Sequence, residues 1–185
     1  MKERPSIYTE RLLLRPFQLS DADDVQRLAG DRAIADTTLN VPHPYEDGMA
    51  EEWIATHQPR FESGELLTLA ATLQTSGDLI GAVGLGIDRR FERAELGYWI
   101  GKLYWNNGYC TEAGRAMLQY GFSVLGLHRI HASHLTRNPA SGRVMQKLGM
   151  VREGCARQHV RRWDEFEDLE LYGILADEWF RGNTE

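Results

Sequence analysis

Residues 94–122 run AELGYWIGKLYWNNGYCTEAGRAMLQYGF. The apolar start, through Gly101, has the length and content of a strand inside a sheet. Further on the period changes. Ala113, Ala116, Met117, Tyr120, Gly121, Val124 and Leu125 keep the three-then-four rhythm of a helix, which Gly126 terminates. Between the two lies Lys102–Thr111, KLYWNNGYCT, whose small and turn-forming residues leave its backbone accessible where a helix begins. Free N–H groups and the positive end of the helix dipole suit such a place to an anion, particularly a pyrophosphate. In a purely structural protein Glu112, in the first turn, would serve the same dipole, and both readings stay open here.

Downstream, HRIHASHL is a further strand, followed by Asn138-Pro139-Ala140-Ser141-Gly142. This is an N-cap with proline at the first helical position, opening a short helix with Val144, Met145 and Leu148 that Gly149 closes. Two helix N-termini at one sheet edge would form a single crevice for an extended polar cofactor. Strands at about 150–161 and 167–174 flank a turn at Trp163-Asp164, and a helical turn follows. Upstream, a strand is expected at Arg11–Arg15. Ser20-Asp21-Ala22-Asp23 reads as a capping box for a helix with Ala22, Val25 and Leu28 on one face and Gly30 as its stop. Residues 36–45 read as loop. Met49, Ala50, Trp53 and His57 mark a second helix that Pro59 ends or kinks. GELLTLAATLQ and DLIGAVGLGID form a hairpin around Thr75-Ser76-Gly77-Asp78. The order predicts a mixed α/β sheet, with residues 1–185 as one domain.

The 185 residues are 42% hydrophobic and 26% charged, which excludes disordered and fibrous classes. No apolar run reaches the roughly 18 residues of a membrane span, and no secretory leader pattern opens the chain. Two cysteines, Cys110 and Cys155, exclude a disulfide framework or cysteine zinc site and fit a reducing cytoplasm. A net charge of −6 disfavours nucleic acid. The one basic cluster, Arg157, Arg161 and Arg162, is diluted by the acids after it. His128, His131 and His134 lie on one strand, with His131 facing away and the other two about 20 Å apart, so no metal is expected. Gly81, Gly84 and Gly86 have the wrong order for a dinucleotide fingerprint and read as strand bulges. Cys110 at a helix start lacks a visible His–Asp partnership for nucleophilic work.

AELGYWIGKLYWNNGYCTEAGRAMLQYGF and HRIHASHLTRNPASGRVMQKLGMVREG together resemble the GNAT superfamily of acetyl-CoA-dependent N-acetyltransferases. TERLLLRPFQLSDADDV and DLELYGILADEW extend the likeness, over nearly the whole chain, to the branch of the RimJ/RimL-type acetyltransferases of ribosomal-protein N-termini. The resemblance implies about seven strands, splayed between the fourth and fifth, with about four flanking helices and the pantetheine arm of acetyl-CoA entering the splay. It places backbone contacts at Trp99, Ile100 and Lys102, and the pyrophosphate on Asn106, Asn107, Gly108, Tyr109, Cys110 and Thr111. Trp105 stands where the family commonly has Gln or Arg, and Cys110 where it has a small residue. Asn138 matches the family asparagine that hydrogen-bonds the cofactor arm.

The implied reaction is direct attack of a primary amine on the thioester in a ternary complex. The amine belongs to a protein N-terminus, possibly ribosomal, or to a small molecule. A protonated amine cannot attack, so a base is needed, and the leaving thiolate gains from an acid. Glu95 is the candidate base. Its alternative is a solvent-facing residue paired with Arg93 or with an arginine across the sheet. The family tyrosine seven residues after the asparagine is Met145 here, so Ser141 is the candidate acid, with a second capping hydroxyl as its alternative; Tyr98 and Tyr104 stay open. The acceptor groove is expected from the early helices, the region PHPYEDGMAEEW and the turn at Arg162–Glu165, with Trp53, Trp163, Glu46, Asp47, Glu51 and Glu52 as lining. The competing reading is a non-catalytic acyl-CoA-binding module. A monomer and a homodimer are equally open.

Overall fold

Burial alternates along the strand Arg93–Ile100: Ala94 and Leu96 are buried, while Glu95 and Gly97 on the other face are exposed. In the computed structural model, which describes residues 3–182, this strand is β5. The others are β1 (Ile7–Tyr8), β2 (Leu12–Arg15), β3 (Leu66–Leu73), β4 (Leu79–Asp88), β6 (Arg129–Leu135), β7 (Val151–Arg162) and β8 (Glu165–Leu175). They form one sheet in the order β1-β2-β3-β4-β5-β6-β8-β7. Every neighbouring pair is antiparallel except β5 and β6. These two run parallel and are registered only at Arg93↔Arg129, Ala94↔Ile130 and Glu95↔His131. Beyond Glu95 they part. The expected splay is therefore present, between the fifth and sixth strands. The extra strand is the two-residue β1, too short to leave a sequence signal.

Seven α-helices flank the sheet among the described residues, where about four were expected: α1 (Ala22–Ala29), α2 (Arg32–Thr37), α3 (Met49–Ala55), α4 (His57–Glu62), α5 (Tyr109–Ser123), α6 (Pro139–Lys147) and α7 (Ala176–Gly182). The surplus is short helices. The single helix read at residues 49–59 is two, α3 and α4, joined at Thr56; Pro59 sits in the first turn of α4, where its missing N–H costs nothing. Helix α2 occupies the start of the segment read as loop, and Asp31 caps it by accepting from the Ala33 N–H (2.9 Å). The capping box near residue 20 is Gln18 with Asp21, not Ser20 with Asp23; Asp21 accepts from the Gln18 N–H (2.8 Å) and pairs with Arg15.

Helices α5 and α6 pack on one face of the sheet, α1 and α4 on the other. Under α5, Leu67, Leu85, Ile130, Met117 and Leu118 are fully buried. Each such side chain contributes about 1.5–3 kcal/mol. The buried stripe of α5 includes Gly114, Leu118 and Phe122, whereas Val124 is exposed because the helix has ended at Ser123. A Cβ on Gly121 would lie 2.6 Å from the Ile130 Cδ1, and one on Gly81 only 2.2 Å from the Trp99 carbonyl oxygen. Glycine is what lets α5 reach β6, and β4 reach β5, at those points. Gly84 and Gly86, read as bulges, keep regular register with Thr68 and Leu66; the β3–β4 irregularity lies at Ala71/Thr72.

Candidate active site

The loop between β5 and α5 rises in a left-handed conformation at Asn106 (φ 62°) and Gly108 (φ 79°), the latter being the N-cap of α5. Helix geometry leaves the first N–H groups of α5 without intrahelical partners. Two side chains fix the loop from within: the Asn107 amide donates to the Tyr104 and Trp105 carbonyls (3.2 and 2.9 Å), and the Trp105 indole donates to the Ile100 carbonyl (2.6 Å). Arg11, at the entry to β2, clamps it from outside. Its guanidinium donates to the Asn107 carbonyl (2.9 Å), pairs with Glu112 (2.7 Å) and lies over the Tyr109 ring. Glu112 also accepts from the Thr9 hydroxyl (2.6 Å) and the Arg11 N–H (2.7 Å). Burial pushes its carboxyl up, but these bonds outweigh that and hold it below the usual carboxylate range. Glu112 thus faces β2 and ties the helix start to the sheet.

The splay and the two helix starts enclose a cavity of about 330 Å³. Trp99, Ile100, Asn106, Gly108, Tyr109, Cys110, Thr111, Asn138 and Ser141, all candidates from the sequence, line it. Lys102 and Asn107 are not among its lining residues: Lys102 is exposed in a single turn of 3-10 helix, and the Asn107 amide is spent on the loop. Arg143 and Lys147, one turn apart on α6, also line it and had no signal in the sequence beyond their charge. The Asn138 side chain is engaged at both ends, accepting from the Ser141 N–H (3.3 Å) and donating to the Thr37 carbonyl (3.1 Å). Burial pushes the Cys110 thiol up to about 12, so it stays a thiol and is no nucleophile. Tyr98, on β5, places its hydroxyl 2.9 Å from the Ser141 Oγ. Burial holds that phenol well above the usual tyrosine range, so it remains protonated.

A second cavity, about 840 Å³, opens on the other side of the splay and shares Thr37, Thr38, Tyr98, Trp99 and Ser141 with the first. Glu95 lines it, with Arg93 engaged elsewhere, on Asp88 (3.2 Å). His131 is the register partner of Glu95; burial lowers its imidazole below the usual value, with the Glu95 charge opposing. Of the expected acceptor residues, Glu52 and Trp53 line this cavity, but Glu46, Asp47, Glu51 and Trp163 do not. Asp47 accepts from Gln26 instead, and Trp163 packs on His43 and under the Arg162 guanidinium. Pro42, Tyr45 and Met49 of the expected region line the cavity too, and the wall that sequence reading missed is the strap before them, residues 37–41, following α2. Arg162 holds it, donating to the carbonyls of Ala35 (2.6 Å), Leu39 (3.4 Å) and Val41 (2.6 Å), while Arg137 donates to that of Asp36. Arg162 is therefore turned inward and Arg161 is paired with Asp164, so the basic cluster does not form a free cationic patch.

A family model described as an acetyltransferase (GNAT) domain matches residues 11–151. The chain belongs to the GNAT acetyltransferase family. It is 31% identical over 173 residues to the uncharacterised N-acetyltransferase YnaD of Bacillus subtilis, covering 94% of this chain and 98% of that one. The putative ribosomal N-acetyltransferase YdaF of the same organism is 30% identical over 136 residues, 73% of this chain and 71% of its own. Among solved structures, a GNAT-family acetyltransferase from Bacillus anthracis superposes with a TM-score of 0.83 at 28% identity, over 94% of this chain and 99% of that one. Such relatives make this chain an N-acetyltransferase rather than a bare binding module, with acetyl-CoA as its co-substrate.

The fold accommodates that donor. Past Glu95, β5 has no strand paired on its β6 side, so its main chain there is open to an amide-bearing arm, except at the Ile100 carbonyl, which accepts from the Trp105 indole. The α5 N-terminus, with Arg143 and Lys147 opposite, offers positive charge to phosphates. Among the described residues no group of three His, Cys, Asp or Glu is placed to hold a metal, and no helix is long and apolar enough to cross a membrane.

Proposed function

We propose that this acetyltransferase moves acetyl from acetyl-CoA to the N-terminal amine of a protein, ribosomal proteins among the candidates, or to a small primary amine, by direct attack in a ternary complex. The observation that carries this is the junction of the two cavities at Tyr98, Trp99 and Ser141. Donor and acceptor meet there, beside Thr37 and Thr38, which also line both cavities. Asn106, Gly108, Tyr109, Cys110 and Thr111 cradle the pyrophosphate with main-chain N–H groups, and Asn107 shapes that cradle. Trp99 and Ile100 offer backbone to the pantetheine, and Asn138 borders it. The chain works as one domain, and its unpaired thiols fit the cytoplasm, where we place it.

Glu95 is the base, directly or through water, because it is the carboxylate on the acceptor side of the central strand. The amine nitrogen attacks the thioester carbonyl carbon, its proton passes toward Glu95, and the carbon–sulfur bond breaks to release the CoA thiolate. Ser141 serves that thiolate as hydrogen-bond donor, held by the Tyr98 phenol. Tyr98 supplies from β5 the hydroxyl that Met145, buried on α6, does not. YdaF's ribosomal name supports a protein acceptor.

Calorimetric titration with acetyl-CoA, CoA and ATP tests the donor site: the two CoA compounds should saturate and ATP should not. Glu95→Gln should lower turnover about 100-fold or more at unchanged acetyl-CoA affinity. Full turnover in Glu95→Gln, with loss in His131→Gln, would reassign the base to the neighbouring imidazole.

A further inference from the structure

The acceptor cavity has a floor without side chains. Gly97 on β5 pairs with Gly84 on β4, and Gly84 pairs with Thr68 on β3; Gly86 pairs with Glu95. All line the cavity. Gly84 has a packing reason, since its Cβ would lie 2.8 Å from the Leu67 carbonyl oxygen. Gly97 and Gly86 have none. Neither has a positive φ, a Cβ on Gly97 would meet nothing within 4 Å, and one on Gly86 would meet only the Glu95 carbonyl oxygen at 4.0 Å. Glycine weakens a strand interior, and the remaining reason for it is an occupant lying close to the backbone. Beside this bare patch Thr68 faces the same cavity, its hydroxyl 3.1 Å from where a Cβ on Gly84 would stand.

We infer that Gly97, with Gly86, is a specificity-determining position: it lets the body of the acceptor lie directly on the β4–β5 backbone, its amine toward Glu95 and a polar group toward the Thr68 hydroxyl. The acceptor class is then a primary amine flanked by a bulky apolar group, such as a peptide beginning with a large side chain. Slender amines would leave the floor uncovered and the apolar wall of Val25, Ala29 and Trp53 unused. This rests on the transferase reading of the cavity given above.

The test compares wild type with Gly97→Ala and Gly97→Val on acetyl-CoA and two acceptor series, peptides beginning with Gly or Ala and peptides beginning with Phe or Trp. Wild type should favour the second series. Gly97→Val should melt no lower than wild type and bind acetyl-CoA equally, yet lose at least tenfold in kcat/KM for the second series and less than threefold for the first. Gly97→Ala should fall between. The inference is overturned if both variants keep the wild-type preference, if wild type favours the first series, or if Gly97→Val loses stability or acetyl-CoA affinity in step with activity. If wild type binds acetyl-CoA but acetylates neither series, it is the transferase reading of the cavity that falls.

Discussion

On the face of the sheet covered by α5 and α6, glycines stand where a side chain has no room: Gly81 against the Trp99 carbonyl, Gly114 against Leu148, Gly121 against Ile130. On the opposite face, Gly86 and Gly97 stand where a side chain would meet no packed neighbour. One residue type serves contrary ends a few ångströms apart across a single sheet. In the first case the glycine answers to the protein, and removing it should cost stability. In the second it answers to whatever the cavity holds, and the protein alone gives no reason for it. A methyl group added to each face separates the two.

The largest effect is expected from Gly81→Ala. Its Cβ would press on main chain, which cannot rotate away, so the variant should lose about 3 kcal/mol and melt lower. Because the strain falls at Trp99 and Ile100, acetyl-CoA affinity should drop as well; an unchanged melting temperature would erase the distinction between the faces. Next comes His57, in the helical layer over the open face, whose two ring nitrogens are buried without partners between Phe17 and Trp53. Burial, helped by the charges of Arg4 and Arg60, lowers it from 6.5 to about 4. The unfolded chain therefore takes up a proton below pH 6.5 that the folded one refuses until about pH 4. Stability present above pH 6.5 is lost as pH falls through that window, by about 3 kcal/mol at 1.36 kcal/mol per pH unit. His57→Leu should flatten the acid limb of a melting-temperature profile measured from pH 7 to 4.

Gly108→Asp should weaken acetyl-CoA binding about tenfold, or about 1.4 kcal/mol, by calorimetry. The added carboxylate opposes phosphate, and Arg11, whose Nη2 lies 3.5 Å from the new Cβ, limits the loss. The smallest effect, and the only one of opposite sign, belongs to Gly86→Ala. It should raise stability by about 0.5–1 kcal/mol, because the unfolded chain loses freedom and the folded one gains no clash. A denaturant midpoint that falls instead would mean the open face is packed after all.

What could be read from the sequence was local. The change of period after β5, the hairpin at Gly77, the Asn138 cap and the loop ending at Gly108 each lie within a few consecutive residues, and all are where they were expected. The remainder depends on partners distant in the chain. Arg11 meets Glu112 across 101 positions, Arg162 meets Ala35 across 127, and Tyr98 meets Ser141 across 43. No periodicity links such pairs. The six residues of α2 fall below what a 3.6-residue repeat can reveal, so the strap went unseen. Gly84 and Gly86 were visible, but a strand glycine looks the same in sequence whether it marks a bulge, a tight contact or an empty place.

Arg162 reaches back across most of the chain to shape the strap: its guanidinium, in the closing hairpin, gathers the carbonyls of residues 35–41. Thr37 and Thr38 of that strap line both cavities. One side chain is thus the keystone of two walls, and loosening it would be felt by donor and acceptor alike.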